Sequence, residues 1–335
     1  MEIDWFSESV MQDEKRGNDL NHPLVSIITP CFNGEAYLDR YFASVLQQTY
    51  QPLELIFIND GSTDRTAEIA ENYRPWLETK GIRFIYQAQE NAGQAAALNR
   101  GLKLFTGEYL TWLDSDDEMT PDCIEKKVAY LQEHPEYDMC ICKIAQVLEE
   151  APEKAVAPLE RITSGGEDNL FFDLIFLKNV FYCPGGYMVR TTAIDSAIPG
   201  RDIFDGRGGQ NVQILLPIAY RGKYGYIDEI LYIYHVRSDS HSHSVNTAEK
   251  EILRLLNFET LLLETLKRMQ NGVFAQYQLK IRQHYARLRF GNALDTQKPK
   301  LIKKYYHEIS MLGIATFSDW LRFRKHTPPV SLLLK

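Results

Sequence analysis

The sequence predicts an α/β fold, a mostly parallel sheet flanked by helices, with a helical extension at its C-terminal end. Three observations predict it. Short apolar runs alternate with amphipathic helical stretches between Leu24 and Val147, an order that builds parallel sheets covered on both faces. Every apolar run up to that of the fourth strand leads into a polar cluster: "PCFNGE", "NDGSTD", "QENAGQ" and "DSDDE". Beyond Thr247 strand-like runs cease and helical periodicity takes over.

Taken in order, "LVSIITP" reads as a first strand. "EAYLDRYFASVLQQTY" follows as a helix with Leu38, Phe42, Val45 and Leu46 on one face. "LELIFIND" is the second strand, and Gly61 turns the chain into a helix capped by one of Ser62, Thr63 or Asp64. "IRFIYQ", "AGQAAALNRGLKLF" and "GEYLTWL" supply a strand, a helix and a fourth strand. Pro121 is expected in the first turn of the helix "PDCIEKKVAYLQEHP", before a fifth strand "YDMCICKIAQVL". "EEAPEKAVAPLERITSGGED" has the composition of an exposed excursion, and the short segments to Val236 suit an α+β continuation. The chain therefore divides into a polar tail (1–22), an α/β body (23–245) and a helical, basic extension (246–335).

Charge and cysteine content narrow the function classes. The net charge of −8 conceals an asymmetry: residues 246–335 hold sixteen Lys/Arg against seven Asp/Glu, leaving −17 on the rest. An acidic body argues against a nucleic-acid binder. The five cysteines form no C-x-x-C pair and read as reduced, buried thiols. No apolar run reaches the ~20 residues of a spanning helix, and the first residues lack a signal-peptide core, so a cytoplasmic chain is expected.

Asp114, Asp116, Asp117 and Glu118 stand after the fourth strand, where like charges repel unless donors or a cation neutralise them. Hard divalent cations, Mn²⁺ or Mg²⁺, prefer such oxygen ligands. By itself the stretch reads first as a solvated turn that caps the following helix.

The four clusters, in this order and spacing, resemble glycosyltransferase family 2. The resemblance is close over about residues 23–145 and loose over 180–245. It implies a GT-A, Rossmann-like fold and transfer of one sugar from a nucleotide diphosphate sugar, a UDP-sugar by the family's habit. The implied acceptor is a saccharide or a lipid-linked sugar, in cell-surface polysaccharide synthesis. By position, Pro30, Phe32 and Asn33 shape the nucleotide pocket, and Asp60 accepts a hydrogen bond from the base. Asn91, Gly93 and Asn99 fall by base and ribose, Gly93 permitting close backbone approach. For Asn91 and Asn99 a helix cap and a satisfied helix amide are the structural alternatives. Asp114 and Asp117 match the D-x-D-D motif, with Asp116 as the metal contact.

Two departures from the family pattern stand out. Inverting members carry an acidic pair before a helix, whose Asp deprotonates the acceptor. Here Gln210 and Asn211 occupy those positions, and an amide is no general base near neutral pH. Either Asp205 takes the role, or another base works while the amides orient the acceptor, or transfer is lost. The last option describes a catalytically impaired sugar-nucleotide-binding protein. Further on, "YHVRSDSHSHS" places Arg237 where relatives have a His, with His235, His241 and His243 nearby. Arg237 could pair with a diphosphate, and His241 or His243 could ligate the metal. A sugar nucleotidyltransferase is disfavoured because "TPCFNGE" offers no Gly-rich phosphate loop. The transmembrane helices and Q-x-x-R-W motif of processive relatives are absent, which favours single-sugar addition. In 316–335 aromatic and basic residues interleave, a pattern suited to peripheral membrane contact or to a helical cap on the body.

Overall fold

The computed structural model describes residues 22–161, 169–206, 209–237, 247–269 and 272–327. Its body is an eight-stranded sheet. The first half follows the predicted order: β1 (Val25–Cys31), α1 (Leu38–Leu46), β2 (Leu53–Asn59), α2 (Thr66–Thr79), β3 (Arg83–Ala88), α3 (Gln94–Leu102) and β4 (Tyr109–Trp112). These four strands lie parallel, in the order β3-β2-β1-β4. The second half holds β5 (Glu118–Met119), α4 (Cys123–Glu133), β6 (Met139–Leu148), α5 (Leu170–Phe176), β7 (Tyr187–Arg190), α6 (Thr191–Ala197), α7 (Gln210–Arg221) and β8 (Tyr224–Val236).

The structure adds one detail and changes another. The sequence order left the neighbours of the fifth predicted strand, β6, unassigned, and β7 inserts between it and β4, antiparallel to both. Two reversals restore direction, so β6 and its parallel neighbour β8 point the same way as β1–β4. The C-terminal end of β8 therefore opens on the same sheet edge as those of β1, β2, β3 and β4. Pro121 stands outside α4, which begins at Cys123. Thr120 and Pro121 instead tie this turn to its neighbours: Gln48 donates to the carbonyl of Thr120, and the N–H of Thr49 to that of Pro121.

β1, β2 and β4 are buried on both faces, as their continuous apolar runs require. Ile28, Ile56, Ile58, Leu110 and Trp112 face one core with α3, α5, α6 and α7. Their sequence neighbours Ile27, Leu55, Phe57 and Leu113 face the other with α1, α2 and α4. The extension consists of α8 (Ala248–Arg268), α9 (Val273–Asp295), α10 (Pro299–Met311) and α11 (Phe317–His326). Leu255, Leu261, Leu262 and Tyr285 of α8 and α9 share the first core, and the Tyr285 hydroxyl donates to the carbonyl of Ile175 at 2.7 Å. Arg289, itself buried, joins Glu259 and Glu308 across α8, α9 and α10. All five cysteines are buried free thiols, as expected.

Candidate active site

The loops after β1, β2 and β3 are held together by side-chain amides and carboxylates. Asn33 adopts the left-handed conformation (φ 52°). Its Oδ1 accepts from the N–H of Thr63, and its own N–H donates to the Ser62 hydroxyl, both at 2.9 Å. Phe32 beside it is half exposed, at 52%. The buried Asp60 accepts from Gln89 Nε2 (2.7 Å) and the N–H groups of Ala92 (3.0 Å) and Gly93 (2.9 Å). Its carboxylate thus fixes the 89–93 loop, on which Asn91 is exposed. Gly61 is obligatory here: at φ 75° a Cβ would lie 2.6 Å from the Asn91 nitrogen. Gly93 (φ 92°) starts α3 from a conformation closed to other residues.

The acidic cluster follows β4 directly. Asp114, Asp116 and Asp117 bring one carboxylate oxygen each within 4.8 Å of one another. Their partners differ. Gln94, first residue of α3, donates to Asp114 Oδ1 at 2.6 Å. Asp117 is fully buried, and its two oxygens accept from the Tyr232 hydroxyl and the N–H of His235, both at 2.9 Å. Asp116 Oδ2 lies 2.9 Å from Arg237 Nη1. Arg237 also stacks on Tyr37, 4.3 Å from the ring centre, while Arg40 donates to the Asp116 carbonyl at 2.7 Å. Both ring nitrogens of His235 face carboxylates: Glu118 at 2.6 Å and Glu149 at 3.0 Å. His241 and His243 lie outside the described residues.

Burial, then the charge of Asp116, pushes the Asp114 carboxyl up to about 7, against the Gln94 hydrogen bond and Arg237. Burial, then Asp116 and Asp114, holds Asp117 well above the usual carboxylate range. Three crowded acids, with ionisation disfavoured at Asp114 and Asp117, suit a hard cation, whose oxygen ligands would come from Asp114 and Asp116. Asp117, with both oxygens engaged, braces the turn from below. The linkage has a definite sign. A folded-state pKa above the unfolded one means the native state binds more protons between pH ~4 and ~7, so stability falls as pH rises through that window. With chelator present, Asp114→Asn is expected to raise the melting temperature at pH 8 and leave it nearly unchanged at pH 4. Allowing for the partial exposure of Asp114, the gain is about 1–2 kcal/mol. Equal shifts at both pH values, by calorimetry, would remove the electrostatic account.

The segment leading into α7 is organised by amides. Asn99 donates from Nδ2 to the carbonyl of Ile203 and to Asp205 Oδ1, both at 2.7 Å, and accepts from the N–H of Ile203 at 2.8 Å. Gln213 of α7 treats Phe204 alike, accepting its N–H at 2.7 Å and donating to its carbonyl at 2.9 Å. Two buried amides thus clamp residues 203–205 and present the exposed Asp205. The Asn99 amide is consumed by this segment. Asn211 faces inward: it accepts from Trp112 Nε1 at 2.7 Å and donates to the carbonyl of Tyr182 at 2.6 Å. Sequence reasoning missed Tyr37, Arg40, Gln94 and Gln213. Gln213 left one trace, a lone amide inside the apolar run "VQILLP".

The Asn211 geometry explains why an acid is disfavoured there. A carboxylate would set an oxygen against the Tyr182 carbonyl in a site 6% exposed. Asn211→Asp is therefore expected to destabilise the protein by roughly 3 kcal/mol at pH 8. The loss should shrink toward pH 5, where a protonated carboxyl can donate. Thermal melts at the two pH values check this, and an undiminished melting temperature at pH 8 would contradict it.

Comparison with known proteins agrees with this architecture. The family model described as "Glycosyl transferase family 2" matches residues 26–196, just over half of the chain. An uncharacterized glycosyltransferase of Haemophilus influenzae is 44% identical over 116 residues, 34% of this chain and 45% of that one. TuaG of Bacillus subtilis, whose name assigns it to teichuronic acid biosynthesis, is 39% identical over 111 residues, 33% of this chain and 43% of TuaG. In both, the match spans less than half of the relative. Among solved structures, Staphylococcus aureus TarS 1–349 in complex with UDP-GlcNAc superposes with a TM-score of 0.53 at 18% identity, covering 90% of each chain. The mannosyltransferase PcManGT of Pyrobaculum calidifontis, in complex with GDP-Man and Mn²⁺, gives 0.51 at 14% identity, over 94% of this chain and 82% of that one. At such identities the likeness is one of fold, and that fold is GT-A. With the strand-end loops, the acidic turn and the family match in agreement, the chain belongs to glycosyl transferase family 2.

Proposed function

We propose that the enzyme transfers one sugar from a UDP-sugar to a saccharide or lipid-linked acceptor, with inversion, in the synthesis of a cell-surface polysaccharide or glycoconjugate. The observation that carries the reading is the convergence of Asp114, Asp116 and Arg237 on one sheet edge beside the Asn33 and Asp60 loops. Asp114 and Asp116 would hold Mn²⁺ or Mg²⁺. When bound, the cation supplies charge stabilisation for a departing diphosphate. Arg237, released from Asp116, would pair with the diphosphate oxygens. Pro30, Phe32 and Asn33 would line the base, and Asn91 and Gly93 the ribose. Asp60 positions their loop and keeps lone-pair capacity for the base.

In the transfer itself the acceptor oxygen bonds to the anomeric carbon as the bond from that carbon to the diphosphate oxygen breaks. The hydroxyl proton goes to Asp205, and the nucleoside diphosphate leaves. Residues 23–245 form the catalytic unit in this reading, with 246–335 as its extension, and donor and protein meet on the cytoplasmic side. TuaG's name and the UDP-GlcNAc in TarS support the polysaccharide setting and the UDP donor. PcManGT was crystallised with GDP-Man, so the base is the point to test.

A thermal-shift series with UDP, GDP and ADP, each with and without Mn²⁺, provides that test. UDP with Mn²⁺ should stabilise most, and an equal or larger shift with GDP or ADP would overturn the donor assignment. A second reading, a sugar-nucleotide-binding protein without turnover, draws on the amide at position 211. UDP binding with no transfer or hydrolysis from any donor would favour it.

A further inference from the structure

We propose that α11 is a docking surface for an anionic lipid bilayer, through a stripe formed by Phe317, Trp320, Leu321 and Arg324. The helix has a fixed inward face. Asp319, nearly buried, closes a capping box with Thr316 and pairs with Arg287, which also donates to the carbonyl of Ile314. Phe323 stacks on Tyr306 of α10, with ring centres 4.3 Å apart. At about 100° per residue, Phe317, Trp320, Leu321 and Arg324 occupy the opposite side of the helix in a stripe about 100° wide. Their exposure agrees: Phe317 is 73% exposed, Leu321 50% and Trp320 42%. Met311, at the end of α10, is 74% exposed.

Charge identifies the occupant. Arg322, Arg324 and Lys325 on α11, and Lys300, Lys303 and Lys304 on α10, are all exposed. The two acids of the same stretch, Glu308 and Asp319, are already paired with Arg289 and Arg287. The outward surface is thus cationic around an aromatic stripe, with Arg324 placed 5.7 Å from the Trp320 ring centre. Indole and guanidinium both favour the headgroup layer, and lysines around them attract anionic lipid. A protein interface fits less well. Four partly exposed side chains fall short of the about 800 Å² per partner that a stable complex buries. None of the described helices is long and apolar enough to cross a membrane. The contact is therefore a peripheral one, and it stands independently of the donor and acceptor assignments.

The test uses the full chain without donor, co-sedimented with vesicles of phosphatidylcholine alone or of phosphatidylcholine with phosphatidylglycerol. Binding to the anionic vesicles should exceed that to neutral ones by about tenfold in low salt and fall as salt screens the lysines. The double variant Phe317→Ala/Trp320→Ala should lose about tenfold of that binding with an unchanged melting temperature, because neither side chain packs inward. Trp320 emission should shift to the blue on the anionic vesicles, and the shift should vanish in Trp320→Phe. Equal binding to both vesicle types, or anionic binding untouched by the double variant, would overturn the proposal. So would a chain dimer in sedimentation velocity that the double variant dissociates.

Discussion

Asp116→Ala is expected to lower kcat/KM by about 10³-fold or more, since removing charge stabilisation from a leaving group forfeits several kcal/mol at about 1.4 kcal/mol per tenfold. The same variant should lose the Mn²⁺-dependent part of the thermal shift seen with UDP. Loss of folding is not the expected cause. Asp116 is the charge neighbour that raises both Asp114 and Asp117, so its removal relieves repulsion even as Arg237 loses a partner. In chelator the variant should melt within a few degrees of the wild type. A variant that keeps the metal-dependent shift would remove Asp116 from the metal site, whatever its activity.

The contrast between Asp116 and Asp117 shows how far the sequence could be read. "DSDDE" at the end of a buried strand revealed that charges collect at the sheet edge where the strand-end loops open, because strand polarity and loop position follow from period and order. It could not tell which carboxylate faces outward. That depends on Tyr232 and His235, more than 110 positions away, which engage both oxygens of Asp117. The sheet behaved alike. β1 to β4 were legible because each alternates with its covering helix. The insertion of β7 between β4 and β6 was not, because four residues of strand carry too little pattern to reveal their neighbours. The roles of Asn99 and Asn211 were hidden for a related reason. An amide reads as polar wherever it stands, and only the backbone groups around it decide whether it meets ligand or protein.

The amide clamp leads to the second large effect. Asp205→Asn is expected to reduce kcat by about 10²–10⁴-fold, the range of a lost general base, with donor binding unchanged. Asparagine is isosteric and still offers Oδ1 to Asn99, so the 203–205 segment should keep its place. Among the described residues only Oδ1 of Asp205 is engaged, so Oδ2 is the oxygen that would take the acceptor proton in the proposed transfer. The geometry links this group to the acidic cluster. Helix α3 carries Gln94 against Asp114 and, five residues and about 7.5 Å of helix rise later, Asn99 against Asp205. Asn99→Ala should lower kcat less than Asp205→Asn, because it loosens the carboxylate without removing it. If Asp205→Asn retains the wild-type rate, the proton is taken elsewhere. Position 211 is then no refuge, since its amide is already committed to Trp112 and Tyr182.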